Sequence, residues 1–201
     1  MSAVTPQAIA KMISDSIAAK QKVLADTALL DTLLKVTNVC VAAFRCGNKV
    51  LIAGNGGSAA DAQHMAAEFV ARFEFDRPGL PSIALTTDTS ALTAIGNDYG
   101  YEHLFSRQVE ALGVKGDVFI GITTSGNSKN VLKAMEACEK IGLVRVALCG
   151  AGGKVHGMSD HVLAVPSTHT PRIQESHGLI MHIICALVEE EMFPQYKKPK
   201  A

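Results

Sequence analysis

Between Pro6 and Leu24 the apolar residues Ile9, Met12, Ile13, Ile17 and Ala18 recur at helical spacing, and a second helical pattern runs from Leu29 to Phe44. From residue 49 onward the pattern changes. Short apolar runs at Lys49–Ala53, Ser82–Thr86, Asp117–Ile122, Val144–Leu148 and His161–Val165 predict five strands. Helical stretches separate them: Ser58–Phe73, Ala91–Ile95 behind the capping sequence Thr87-Asp88-Thr89-Ser90, Leu104–Leu112, and Lys129–Ile141. Gly96-Asn97-Asp98-Tyr99-Gly100-Tyr101 is read as a break after the second of these, and Arg72–Pro81 as a loop. A last helix extends to about Met192, with an apolar stripe of Ile180, Ile183, Ile184, Leu187 and Val188.

Strands that alternate with helices through short loops predict an α/β fold, a five-stranded parallel sheet flanked by helices on both faces, with right-handed crossovers. No linker or repeat divides the chain, so residues 1–201 are expected to form one domain. Within it, 1–47 is a helical prefix, 48–193 the α/β core and 194–201 a frayed basic tail. A sheet of this type usually opens on a strand, so the prefix either caps the sheet of its own chain or packs against another subunit.

Composition narrows the function classes. Nineteen basic and nineteen acidic residues balance, which leaves no electrostatic footprint for nucleic acid or a membrane surface. Hydrophobic content of 48% fits a well-buried, oligomeric protein, and no stretch reads as long enough to span a membrane. Cys40, Cys46, Cys138, Cys149 and Cys185 are odd in number and lack CxxC spacing, which favours reduced thiols. The start of the chain runs straight into a helical pattern without a signal sequence, so a cytoplasmic protein is expected.

Candidate chemistry collects at three loops that follow strands. In Gly54-Asn55-Gly56-Gly57-Ser58 the glycines allow positive φ and close approach, and a helix start with the Ser58 hydroxyl suits an anion. Thr123-Thr124-Ser125-Gly126-Asn127-Ser128 offers four hydroxyls, a glycine and a helix N-terminus without any lysine, a second phosphate-type loop. Together with Thr86–Asp88, these loops fall at the carboxyl ends of strands, where open α/β sheets bind ligands. Asp61, His64 and Glu68 share one helix face, and Asp98 lies near a helix end. On the last helix Gln174, Glu175, His177, Gly178 and His182 lie off the core stripe. Angular alignment places Glu175 within roughly 20° of His182 and Gln174 roughly 80° away, so geometry alone pairs His182 with Glu175.

GNGGSAADAQHMAAEF, the TTSGNS loop and TPRIQESHG together resemble the sugar-isomerase (SIS) domain family, and within it the phosphoheptose isomerases. The resemblance spans nearly the whole chain. It implies a flavodoxin-like three-layer sandwich and a cytoplasmic homotetramer with active sites at subunit interfaces. The implied reaction converts sedoheptulose 7-phosphate to D-glycero-D-manno-heptose 7-phosphate, in ADP-heptose and lipopolysaccharide core biosynthesis. Carried onto this chain, it gives Glu68 and His182 as the acid–base pair. Phosphate and sugar contacts fall to Asn55, Gly56, Gly57, Ser58, Thr123, Thr124, Ser125 and Ser128, with Gln174, Asp98 and Arg72 as further substrate contacts. It also implies a zinc ion on His64, Glu68, Gln174 and His182, thus choosing Gln174 where helix alignment favours Glu175. A non-catalytic branch of the same fold, tetramers that bind the bacterial replication initiator, is the alternative. That branch resembles this chain but lacks acid–base residues where Glu68 and His182 stand.

Overall fold

A computed structural model of the protein describes residues 4–197. Helix α1 (Pro6–Ala25) starts where the Thr5 hydroxyl accepts from the Ala8 N–H at 3.1 Å, with Pro6 in the first turn. Asp26 then caps α2 (Thr27–Arg45) through the Leu29 N–H at 3.0 Å. The sheet follows as β1 (Val50–Gly54), β2 (Ser82–Ala84), β3 (Val118–Thr123), β4 (Val144–Cys149) and β5 (His161–Ala164). Between the strands run α3 (Gly57–Val70), α4 (Thr89–Asp98), α5 (Ser106–Leu112) and α6 (Lys129–Ile141), and α7 (Thr170–Met192) closes the fold.

The strand order is β2-β1-β3-β4-β5, and all four pairings are parallel. This is the expected five-stranded α/β sandwich. After β2 is laid beside β1, the chain returns to the other side of β1, so the order reverses between β1 and β3. That reversal opens a crevice at the carboxyl ends of the two strands. The Gly54–Ser58 and Thr123–Ser128 loops both leave the sheet there.

One layer packs α2, α3 and α7 on the sheet around Val36, Phe44, Ile52, Phe69, Ile120 and Ile184. The other packs α5 and α6 around Leu51, Phe119, Met135 and Val109. The helical prefix divides. Helix α2 buries Leu29, Leu33, Val36, Cys40, Val41 and Phe44 and caps the sheet of its own chain. It is also, contrary to expectation, long and apolar enough to cross a membrane by length and composition. Its apolar face is nonetheless part of the core. Helix α1 buries only Ala19 and Val23, leaving Ile9, Met12, Ile13 and Ile17 more than half exposed.

Other expectations need correcting. Gly96 does not break a helix, because α4 runs through to Asp98 and the chain turns at Tyr99-Gly100, where Gly100 takes φ +89°. Helix α7 starts early, at Thr170, and His177 is on its buried side whereas Leu187 is partly exposed. The His177 Nε2–H donates to the Cys149 carbonyl at 3.2 Å, while Nδ1 is buried without a partner. Burial lowers its pKa to about 4. Of the five cysteines, all free, only Cys46 is exposed. A short helical turn, Pro194–Tyr196, occupies the start of the expected tail, and positions 198–201 lie outside the described residues.

Candidate active site

The loop after β1 is shaped for close approach. Gly56 takes φ +57° at the start of α3, where no side chain caps the helix and the Ser58 and Ala59 N–H groups turn back onto the carbonyls of Asn55 and Gly56 at 3.0 Å each. A Cβ at Gly57 would collide with the Gln174 carboxamide, and one at Gly54 would lie 2.5 Å from the Ser58 carbonyl oxygen. Ser58 itself is buried. Asn55 pairs reciprocally with Asn130 on α6, at 2.9 and 2.8 Å, and accepts from the Tyr101 hydroxyl at 2.9 Å.

The loop after β3 is bound to itself. Thr123 and Ser128 share a hydrogen bond between hydroxyls at 2.9 Å, and the Ser125 Oγ accepts from the Asn127 N–H at 3.2 Å. Gly126, at φ +67°, presses on a second glycine turn, so a Cβ there would strike the Gly152 carbonyl. That turn is tied on by the Lys154 N–H to Asn127 Oδ1 at 3.1 Å and the Val155 N–H to the Gly126 carbonyl at 3.0 Å. The N-terminus of α6 carries no side-chain cap. A cleft of about 500 Å³ lies between the two loops, lined by Asn55, Tyr101, Ser128 and Asn130 among others.

Two turns along α3 from the glycine loop stands a group of different chemistry. His64 Nε2 lies 3.0 Å from Glu68 Oε1 and 3.3 Å from His182 Nε2 on α7. The rings of His64 and His182 meet edge to face at 4.9 Å between centroids. All three ligand-capable atoms fall within 4.8 Å of one another, and the two separations from His64 are close to the roughly 3.3 Å edge of a tetrahedral site with bonds of about 2.0–2.1 Å. Three protein donors and an open position is the donor set of a catalytic rather than a structural zinc site. Asp61, on the same face, has a buried Oδ2 with no partner, and burial raises its pKa against the opposing pull of His64.

Behind His182 lies the Phe73 ring, 5.2 Å between centroids. Phe73 belongs to a loop held by Glu189, whose carboxylate accepts from the N–H groups of Phe73 at 2.8 Å and Glu74 at 2.7 Å and from Arg77 Nε at 2.9 Å. Burial pushes the Glu189 carboxyl upward, but these donors outweigh it and its pKa ends below the usual value. Arg77 in turn donates to the carbonyls of Glu68 and Phe69 at the end of α3. The loop therefore braces both helices that carry the His/Glu group.

Other expected site residues are placed elsewhere. Gln174 and His182 are eight residues, about 12 Å, apart along α7, and the Gln174 amide rests on Gly57. One chain therefore does not assemble the four-residue ligand set. The alignment of Glu175 with His182 also fails as a contact, because seven residues rise about 10 Å. Glu175 instead accepts from Arg172 at 2.6 Å and faces Lys20 at 4.0 Å. Asp98 lines a separate groove with Tyr99 and Arg107, and Arg72 is exposed beyond the end of α3. Sequence reasoning missed Asn130, Tyr101, Phe73, Arg77 and Glu189. All but the first two act through pairings more than a hundred residues apart, for which local pattern carries no signal.

The SIS domain family profile matches residues 14–150. The chain is 62% identical over 182 residues to the phosphoheptose isomerase of Aneurinibacillus thermoaerophilus, covering 90% of this chain and 92% of that one. It is also 62% identical over 181 residues to phosphoheptose isomerase 2 of Campylobacter jejuni, covering 90% of each. The solved structure of the phosphoheptose isomerase from Neisseria gonorrhoeae superposes with a TM-score of 0.85 at 45% identity, over 92% of this chain and 98% of that one. The sheet order, the two loops and these relatives agree: the chain belongs to the SIS domain family and, within it, to the phosphoheptose isomerases, which are sugar phosphate isomerases.

Proposed function

We propose that this sugar phosphate isomerase interconverts sedoheptulose 7-phosphate and D-glycero-D-manno-heptose 7-phosphate through a cis-enediol(ate). The observation that carries this reading is the position of His64, Glu68 and His182 relative to the two loops. His64 is seven residues, about 10 Å of helix, beyond Gly57, a reach that suits a sugar of several carbons rather than a triose. The Thr123–Ser128 loop and the open N-terminus of α6 receive the phosphate, with Asn55, Gly56, Gly57 and Ser58 along the sugar. At the far end Glu68 takes the proton from C1 of the ketose, and a proton is returned to C2 to give the aldose. His182 moves the accompanying proton between O1 and O2, work suited to an imidazole near neutral pH.

His64, Glu68 and His182 would hold a zinc ion, which when bound would supply polarisation of the substrate carbonyl worth several kcal/mol. Coordination competes with acid–base work by the same groups, so we propose an exchangeable metal. The apolar outer stripe of α1 supports a homotetramer with active sites at subunit interfaces, and Gln174, Asp98 and Arg72 then contribute at those interfaces. We assign the reaction to the cytoplasm and to the supply of ADP-heptose for lipopolysaccharide core.

Proton NMR of purified protein with sedoheptulose 7-phosphate tests the assignment. Growth of the aldose anomeric signal is expected, and its loss in Glu68→Gln and His182→Ala while both still bind inorganic phosphate. A wild type that binds the sugar phosphate but produces no aldose, with and without added zinc, would overturn it.

A further inference from the structure

Asn130, the second residue of α6, is buried, an unusual place for a carboxamide unless it is hydrogen-bonded. Its partner lies not on its own helix but in the loop after β1, 75 residues away in sequence. Asn55 Nδ2 donates to Asn130 Oδ1 at 2.9 Å, and Asn130 Nδ2 donates to Asn55 Oδ1 at 2.8 Å. Two bonds between the same two amides fix the rotation of the Asn55 carboxamide as one bond would not.

Hydrogen-bond capacity shows what this leaves free. Asn55 Oδ1 also accepts from the Tyr101 hydroxyl at 2.9 Å, so both its lone pairs are taken. Of the two hydrogens on Asn55 Nδ2, the reciprocal pair uses the one on the Oδ1 side. The other points away from Oδ1 and has no partner among the described residues. Asn55 lines both the cleft that opens on Ser128 and the α6 N-terminus and the one that opens on Gly56 and Thr86. A half-buried residue at a cleft wall thus presents a single donor, and a buried residue sets its direction.

We propose that Asn130 is a positioning residue that acts through Asn55, fixing its carboxamide so that the free N–H is aimed at an oxygen of the sugar. This rests on the sugar phosphate reading of the site and adds to it what orients the sugar contact. Without Asn130, Asn55 keeps only the Tyr101 bond, turns more freely about its last torsion, and loses that freedom again when the sugar binds. A mere staple between α6 and the loop after β1 would act differently. Its loss would be felt by the phosphate, through Ser128 and the start of α6.

The test is Asn130→Ala and the volume-matched Asn130→Leu, with Asn130→Ala also placed in an Asn55→Ala background. Each is assayed for sedoheptulose 7-phosphate turnover, for competitive inhibition by inorganic phosphate, and for calorimetric binding of the sugar phosphate. We expect both single variants to raise KM and the calorimetric Kd about five- to tenfold, or about 1–1.4 kcal/mol. The kcat and the phosphate inhibition constant should stay within twofold. In the Asn55→Ala background Asn130→Ala should add less than twofold. Unchanged KM and Kd, an equal weakening of inorganic phosphate, or a full further loss on top of Asn55→Ala would overturn the proposal. So would a rise in Asn130→Ala that Asn130→Leu does not share, because that is the mark of a cavity. A wild type that binds the sugar phosphate without isomerising it refutes the assigned reaction instead, and the calorimetric comparison still decides the role of Asn130. Absence of any sugar phosphate binding to wild type refutes both.

Discussion

The two ends of the candidate site are built in opposite ways. At the proposed phosphate end the chain completes its own structure: Thr123 bonds Ser128, Asn127 bonds Ser125 and Lys154, and Gly126 is clasped by the Gly152-Gly153 turn. At the other end His64, Glu68 and His182 touch mainly one another, and His64 is exposed. A binding loop can be finished before the ligand arrives, because backbone and hydroxyl donors need only be pointed. Groups proposed to move protons must stay accessible and lightly held, and here their order is supplied from behind, by Phe73 and the loop that Glu189 holds.

The contrast predicts that the two ends fail separately. The largest effect is expected from Glu68→Gln, which removes the proposed base but keeps the shape: kcat should fall by about 10²–10⁴, as for loss of general base catalysis. Inorganic phosphate should bind it as it binds wild type, measured by calorimetry. Next is Arg77→Met, which leaves Glu189 buried beside fewer donors. Urea unfolding should show a loss of about 3–5 kcal/mol, the cost of breaking a buried pair. Turnover below the unfolding transition should fall as well, since Arg77 ties the loop under Phe73 to the end of α3.

His177 sharpens the comparison from the core side. Its folded pKa of about 4 lies below the ordinary 6.5, so the unfolded chain takes up the proton first as pH falls. Its contribution is complete above pH 6.5 and is lost on acidification from 6.5 to about 4, amounting to about 3 kcal/mol. Urea titrations across that window should show the loss in wild type and a flatter profile in His177→Gln. The smallest effect is expected at the clasp. Gly153 takes φ +115°, and a Cβ there would lie 2.5 Å from the Gly126 Cα, so Gly153→Ala should displace the Thr123–Ser128 loop. We expect KM to rise by about tenfold, near 1.4 kcal/mol, with kcat little changed. Gly152→Ala, which meets open space, should leave both as they are.

The same contrast decides what was legible in the sequence. The proposed phosphate end is local: an apolar run, a glycine or hydroxyl turn and a helix start are contiguous, so β1, β3, α6 and both loops could be read from residue order. The His/Glu end joins α3 to α7 across 118 residues, and only part of it is periodic. His64 and Glu68 follow from i, i+4 spacing, but the partner of His182 does not. A helical wheel records angle and discards rise, which is why Glu175 looked aligned with His182 while standing two turns away. His177 was misplaced for a related reason, because a core histidine bonded to a strand carbonyl through Nε2 looks polar in sequence. Tyr101 and Asn55 meet only through the topology that lays the turn after α4 over the end of β1.

The most direct test of the central claim is the fate of the C2 proton. Sedoheptulose 7-phosphate should be incubated with wild-type protein in deuterated water, and the aldose product examined by NMR. A proton transfer run by Glu68 and His182 through an enediol predicts deuterium at C2 of the aldose, with at most about a hundredth as much aldose formed by Glu68→Gln in the same time. Aldose that accumulates with only protium at C2 on prolonged incubation would contradict it, because the hydrogen would then have passed between the carbons without reaching an exchangeable group.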